Sequence, residues 1–352
     1  MDKVRQLIRP HLLGLLPYSS ARDEYSGTEG IFLDANENPI GSVASGNYNR
    51  YPDPNQRLLK EKISRIKKLP IEKIFLGNGS DEAIDLIIRL FCEPVRDNII
   101  ILPPTYGMYS VSAHINNISV KEVPLTVDFQ LNAKAVLSAA DKRTKIIFVC
   151  SPNNPTGNLI EEKAILSLLE QFNGIVVVDE AYVDFASEKS MVRHMQKYNN
   201  LIVLQTFSKA WGMAGLRLGM AFALDGIIDY MNKIKYPYNI NTSTQELALK
   251  ALENESDKNK MVKEILAQRN LLVARLKELD IAETIYPSDA NFILVKFEEP
   301  KKVYQYLLEE KIIVRDRSNV QLCNGCLRIT VGTAVENEQL TECLKKYPVP
   351  QT

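Results

Sequence analysis

Gly174-Ile175-Val176-Val177-Val178-Asp179-Glu180-Ala181-Tyr182 begins as an unbroken β-branched run and ends in two acids. Four such residues in a row, without polar alternation, read as a strand covered on both faces, as in a parallel sheet between helices. Three more runs of this kind flank it: Asn98-Ile99-Ile100-Ile101-Leu102, Lys145-Ile146-Ile147-Phe148-Val149-Cys150 and Leu201-Ile202-Val203-Leu204. Helical segments separate them. One opens at Ser80, a candidate N-cap, and runs amphipathically to about Phe91; another spans Glu161 to Phe172. The fold class is therefore α/β with a mostly parallel sheet.

Beyond Asp225 the pattern changes to long helical stretches, above all Asp257 to Leu279, followed by strand-like Asn291 to Phe297 and Ile312 to Arg315. We expect an arm over residues 1–30 and a large domain over 31–225, with a connecting helix to about 255. A small α+β domain follows over 256–352. No internal repeat or Gly/Ser linker parts them, so they should pack together. Of the 352 residues 45% are hydrophobic and 24% charged, enough for a sizeable core. Forty-three basic residues balance forty-three acidic ones without a basic block, so the footprint of a nucleic-acid binder is missing and a small-molecule partner fits better. Met1 to Tyr18 lacks the apolar core and cleavage site of a signal peptide, and no run nears the roughly 20 apolar residues that span a bilayer; no membrane and a cytoplasmic location are expected. Five scattered cysteines make no disulfide framework. Cys323 and Cys326 form a C-x-x-C, but no second pair or nearby histidine completes a metal site, so a structural role is expected.

Thr206-Phe207-Ser208-Lys209-Ala210-Trp211-Gly212-Met213-Ala214-Gly215-Leu216-Arg217-Leu218-Gly219 follows one of the buried runs. Ligands of α/β sheets bind outside the carboxyl ends of the strands, where Lys209 falls. A partly desolvated amine sheds its charge readily and can condense with an aldehyde, while Thr206, Ser208 and Arg217 are suited to a phosphate. Asp179 closes its own strand, and a buried carboxylate needs a cation or strong donors. A protonated pyridine nitrogen would be such a cation, and Tyr182 could donate to a phenolate oxygen on the same ring. Ser151-Pro152-Asn153-Asn154-Pro155-Thr156-Gly157 is a tight turn that can aim an asparagine amide at a ligand. Gly77-Asn78-Gly79-Ser80-Asp81 joins a strand to a helix start that can take phosphate, and Tyr106, in Pro103-Pro104-Thr105-Tyr106-Gly107-Met108-Tyr109, could stack on a planar ring. Each turn alone could be simple turn chemistry, and Lys209 alone a surface lysine. Together they supply every contact that pyridoxal phosphate requires.

In order and spacing these motifs resemble the fold-type I aminotransferases over nearly the whole chain. The resemblance implies pyridoxal 5′-phosphate, a mixed seven-stranded sheet, a small domain completed by N-terminal residues, and a homodimer. It implies Lys209 as the Schiff-base lysine, Asp179 as pyridine partner, and Asn154 and Tyr182 as donors to the phenolate oxygen. Tyr106 would stack on the ring; Gly79, Ser80, Asp81, Thr206, Ser208 and Arg217 would form the phosphate cup, Asp81 by positioning the helix start. Leu33-Asp34-Ala35-Asn36-Glu37-Asn38-Pro39, Arg50-Tyr51-Pro52-Asp53-Pro54 and the arm Arg9 to Tyr18 are similar to histidinol-phosphate aminotransferases. That likeness implies Tyr51 reaching the other subunit's cofactor. It implies Arg328 (in Cys326-Leu327-Arg328-Ile329-Thr330), Arg315, Tyr18 and Asn36 at the substrate site, and histidinol phosphate with glutamate/2-oxoglutarate as substrates. Rival readings are an aromatic amino-acid aminotransferase, a threonine-phosphate decarboxylase, and a regulatory module that binds the cofactor without turnover. No G-x-G-x-x-G or P-loop suggests another cofactor.

Overall fold

The structure is a computed structural model that describes residues 2–18, 30–186 and 190–348. Seven strands form its larger sheet: β1 (Ile74–Asn78), β2 (Asn98–Ile101), β3 (Ser119–Glu122), β4 (Thr144–Cys150), β5 (Ile175–Asp179), β6 (Leu201–Thr206) and β7 (Leu218–Phe222). Their order is β1-β7-β6-β5-β4-β2-β3, and only β7 runs against the rest. The apolar runs sit where expected, and the alternation of their side chains divides the core in two. Ile100, Ile147, Val149, Val176, Val178 and Val203 point to one side, while Ile99, Ile101, Ile146, Phe148, Val177 and Leu204 point to the other. With both faces covered, every position in these strands must be apolar.

Two strands of the larger sheet escaped the sequence reading, as did Ala282–Ile285 of the smaller one. β7 begins inside what reads as a glycine-rich turn, and β3 is an edge strand with exposed or half-exposed polar side chains and no apolar run. The cap expected at Ser80 falls two residues earlier, at Asn78, and the helix begins at Gly79; Ser80 makes no capping bond, and the Glu82 carboxylate accepts the Asn78 N–H instead. Among the N-terminal residues, Val4 and Ile8 join the core of the large sheet, and Arg9 pairs with Glu93 at 3.1 Å.

After the helix Glu255–Leu276 comes the second sheet, β8 (Ala282–Ile285), β9 (Phe292–Phe297), β10 (Arg315–Asp316) and β11 (Cys326–Thr330), antiparallel in the order β10-β11-β9-β8. The strand expected over Ile312 to Arg315 pairs only at Arg315 and Asp316. Ile293, Val295, Leu327 and Ile329 face the helices Pro300–Glu309 and Ala334–Lys345 in a core of their own. The alternate residues Leu294, Cys323 and Cys326 join the large sheet's core. The intervening face of the small sheet is thus turned toward the large one. No helix among the described residues is long and apolar enough to cross a membrane.

Candidate active site

Because β1, β2, β4, β5 and β6 are parallel, the loops after them leave the same edge of the sheet, and reversed β7 starts there. Ser80, Asp81, Tyr106, Asn154, Asp179, Tyr182, Thr206, Ser208, Lys209 and Arg217 line one cleft at that edge. Gly79 forms the turn behind it.

At the floor, Asp179 ends β5 and is 2% exposed. Tyr109 donates its hydroxyl to one carboxylate oxygen at 2.7 Å, and the Ala181 N–H donates to the other at 3.1 Å. Burial pushes the carboxyl up to about 6; the two donors oppose that rise and Asp81 adds to it. A carboxylate this dry and this weakly neutralised is matched to a cation arriving in the cleft. The sequence reading gave Tyr109 no role. It is fully buried, stacked on Phe148 at 4.6 Å, and its partner lies seventy residues on. The only hint was a tyrosine opening the helix Met108–Ile115 after a strand end, since a buried phenol requires an acceptor.

Lys209 stands at the exposed mouth, its ammonium 5.5 Å from the Tyr182 ring centroid. Its pKa is lowered, first by burial of the amine and then by Arg328 and Arg217, against the pull of Asp179 and Asp81. Asn154 bridges the two sheets: its amide nitrogen donates to the Tyr182 hydroxyl at 3.3 Å, and its oxygen accepts from Arg328 at 2.5 Å. Arginine only donates, so it fixes the amide's orientation. The Tyr182 hydroxyl, accepting from Asn154, keeps its own proton to offer. The Arg328 guanidinium lies 5.3 Å from the Phe292 ring centroid, and its buried Nε has no partner among the described residues.

The other end of the cleft is built around Arg217. Its backbone is left-handed, with φ 52°, and its carbonyl accepts the Gly79 N–H at 2.6 Å. Its guanidinium contacts Asp81 at 3.3 Å, and Asp81 also accepts the Tyr106 hydroxyl at 3.1 Å. Thr206 accepts the Ser208 N–H at 3.1 Å, shaping the turn that carries Lys209. Gly79 has φ +75°, and a Cβ there would lie 2.8 Å from the Arg217 Nη2. A Cβ on Gly219 would meet the Ser80 nitrogen at 2.2 Å. Glycine at both places keeps β7 against the helix start and leaves the cup open.

Four expected residues lie elsewhere. Tyr51 stacks on Tyr238 at 4.5 Å and shares with Asn36 a separate hollow. Tyr18 is 75% exposed, beside Pro54 and Lys235. Arg315 is exposed, directly across the ladder from Arg328. Cys323 and Cys326 are buried and free, and no cluster of potential metal ligands occurs among the described residues.

The donor set fits pyridoxal phosphate: a dry carboxylate for the pyridine nitrogen, Tyr182 and Asn154 for the ring oxygen, and a helix start with Ser208 and Arg217 for the phosphate. The Aminotransferase class I and II family matches residues 25–346. The chain is 58% identical to a histidinol-phosphate aminotransferase of Cytophaga hutchinsonii, over 97% of this chain and 98% of that one. It is 51% identical to the one from Parabacteroides distasonis, over 98% and 99%. Among solved structures, the histidinol-phosphate aminotransferase of Clostridium acetobutylicum superposes with a TM-score of 0.78 at 25% identity, covering 85% of this chain and 90% of that one. The Sinorhizobium meliloti enzyme, solved with pyridoxal-5′-phosphate, shares the fold with a TM-score of 0.79 at 22% identity, over 89% of each chain.

Proposed function

The chain belongs to the class I and II aminotransferases, and from that premise we propose that it transfers the amino group between histidinol phosphate and 2-oxoglutarate, giving imidazole-acetol phosphate and glutamate, with pyridoxal 5′-phosphate as cofactor. One observation carries the chemistry: Lys209 and the buried Asp179 stand in the same cleft, between the Arg217 cup and the Arg328 rim. Identity of 50% or more to several histidinol-phosphate aminotransferases supports the substrate.

Bound pyridoxal phosphate supplies an electron-withdrawing ring that stabilises negative charge at the substrate's Cα. The Asp179 carboxylate holds the positive charge on the ring nitrogen, and Tyr109 keeps that carboxylate ionised and in place. Tyr182 donates its free proton toward the ring oxygen. Lys209, whose charge burial weakens, would hold the cofactor and provide the amine that moves the substrate's Cα proton. Arg328 offers a forked guanidinium at the rim, a shape that accepts phosphate in one half-reaction and carboxylate in the other. The large domain over 31–225, with its connecting helix, carries the cofactor, and the small domain over 256–352 brings Arg328 and Arg315.

The working unit in this reading is a homodimer. Ile31, Leu33 and Ile40 are 85 to 92% exposed on the same segment as Asn36 and Tyr51, an apolar stretch suited to a second copy. Tyr51 then serves the partner's cleft, and Asn36 and Tyr18 lie where that partner packs. Purified enzyme given histidinol phosphate and 2-oxoglutarate should form glutamate, with far less turnover of phenylalanine and no decarboxylation of threonine phosphate. Absence of glutamate from the first pair would overturn the assignment.

A further inference from the structure

β10 and β11 bring three arginines to one place. Arg315 lies directly opposite Arg328, and the Arg317 N–H extends the ladder by donating to the Cys326 carbonyl at 2.9 Å. Arg315 and Arg328 face each other on the side of the small sheet that bears Leu294 and Cys326, and Arg317, one residue past β10, continues the alternation and lies close enough to both to feel their charge. That side faces the large sheet and the Asn154 turn. Arg317 is diagonal to Arg328, within reach for side chains of this length.

Like charges directly opposite one another on a sheet are destabilising unless an opposite charge offsets them. Here no ion pair involves any of the three among the described residues, and the intervening Asp316 accepts the Ser318 N–H. Burial lowers the pKa of both Arg317 and Arg328; Arg328 and Arg315 add to the effect on Arg317, and Arg315 adds to that on Arg328 against the opposing pull of Tyr182. Arg317 and Arg328 are half-buried beside exposed Arg315, and the one neighbouring acid, Asp316, forms no ion pair with any of them among the described residues, so the cluster is matched to an incoming polyanion. Two ligands of the proposed reaction compete for this rim. A phosphate monoester carries close to two negative charges near neutrality and three acceptor oxygens, whereas the side chain of glutamate carries one charge and two.

We propose that Arg317 is a specificity-determining residue of the substrate site, the third guanidinium of a cradle that favours the phosphate of histidinol phosphate over the side-chain carboxylate of glutamate. The inference rests on the substrate reading given above. Arg317→Gln should raise the KM for histidinol phosphate by about tenfold or more with kcat nearly unchanged, the mark of lost binding shared by ground and transition states. The KM for glutamate should move by less than about threefold, and Arg317→Lys should recover part of the loss. An equal rise for both substrates, or none, overturns the proposal. Inorganic phosphate, as a competitive inhibitor of the glutamate half-reaction, probes the cradle without histidinol phosphate. Its inhibition constant should rise about fivefold in the variant, given the strength of charged hydrogen bonds; an unchanged constant also overturns the proposal. Wild-type enzyme that ignores histidinol phosphate while the phosphate constant still shifts would overturn the substrate reading and leave the cradle standing.

Discussion

Burial would protonate Asp179 if nothing opposed it, and the opposition comes from Tyr109 and a backbone N–H. The consequence is measurable in the apoprotein. The Asp179 carboxyl titrates at 3.8 when unperturbed and near 6 in the fold, so between those pH values the native state holds a proton that the unfolded chain has released. This group's stabilisation is therefore complete below pH 4, falls as pH rises to about 6, and is gone above it, a change of about 3 kcal/mol. Apo Asp179→Asn should lack that slope and resist urea better than apo wild type at pH 8, yet bind pyridoxal phosphate far more weakly. A variant no more stable at pH 8 would mean that the carboxylate is not paying a burial cost. Tyr109→Phe should move the midpoint above 6, read from the pH dependence of cofactor affinity. Lys209→Ala should abolish the absorption band of the lysine-bound cofactor together with turnover; a band that persists would assign the linkage to another amine. Lys209 and Asp179 were legible in the sequence because each directly ends or follows an apolar run. Tyr109 was not, because nothing local links a tyrosine to a carboxylate seventy residues away. Arg317 was missed because its proposed role depends on Arg315 two residues before it and on Arg328 across the ladder, a meeting that only the fold brings about.

At the scale of elements, the turn between β1 and its helix is tied to the start of β7. Gly219→Ala drives a Cβ into the Ser80 nitrogen and the Gly79 backbone, neither of which can swing aside, so destabilisation of about 3 kcal/mol and weakened cofactor binding are expected by denaturant titration and cofactor affinity. The last helix provides a contrast. Thr333 caps Ala334–Lys345 in a reciprocal box with Glu336, and Thr333→Ala should cost about 1 kcal/mol by the same titration while leaving kcat unchanged. The same contrast separates what could be read beforehand. Ile99, Ile146, Val176 and Ile202 declare their strands because both faces are buried. Leu218-Gly219-Met220-Ala221-Phe222 is equally buried, but its two small residues follow a turn already rich in glycine. Ser119-Val120-Lys121-Glu122 is an edge, where nothing demands apolar side chains.

At the scale of the whole molecule, if a second copy covers the exposed apolar segment carrying Ile31, Leu33 and Ile40, as proposed, sedimentation at micromolar concentration should show a dimer, and a monomer there would overturn that reading. If Tyr51 serves the partner's cleft, a mixture of Tyr51→Ala and Lys209→Ala, refolded together, should exceed the mean activity of the two alone, because hybrid dimers regain one complete site. Activity no higher than that mean would place Tyr51 within its own subunit's chemistry or outside it altogether. The reversed strand bears on how such a chain is made. Among the described residues β1 has β7 as its only neighbour, joined from Ile74↔Phe222 to Asn78↔Leu218, so it leaves the ribosome long before that partner exists. At ordinary synthesis rates of about 5 to 20 residues per second the wait is on the order of ten seconds, with an unpaired strand open to stray pairing. Nascent chains stalled before Leu218 should therefore depend on chaperones far more than those released after Phe222.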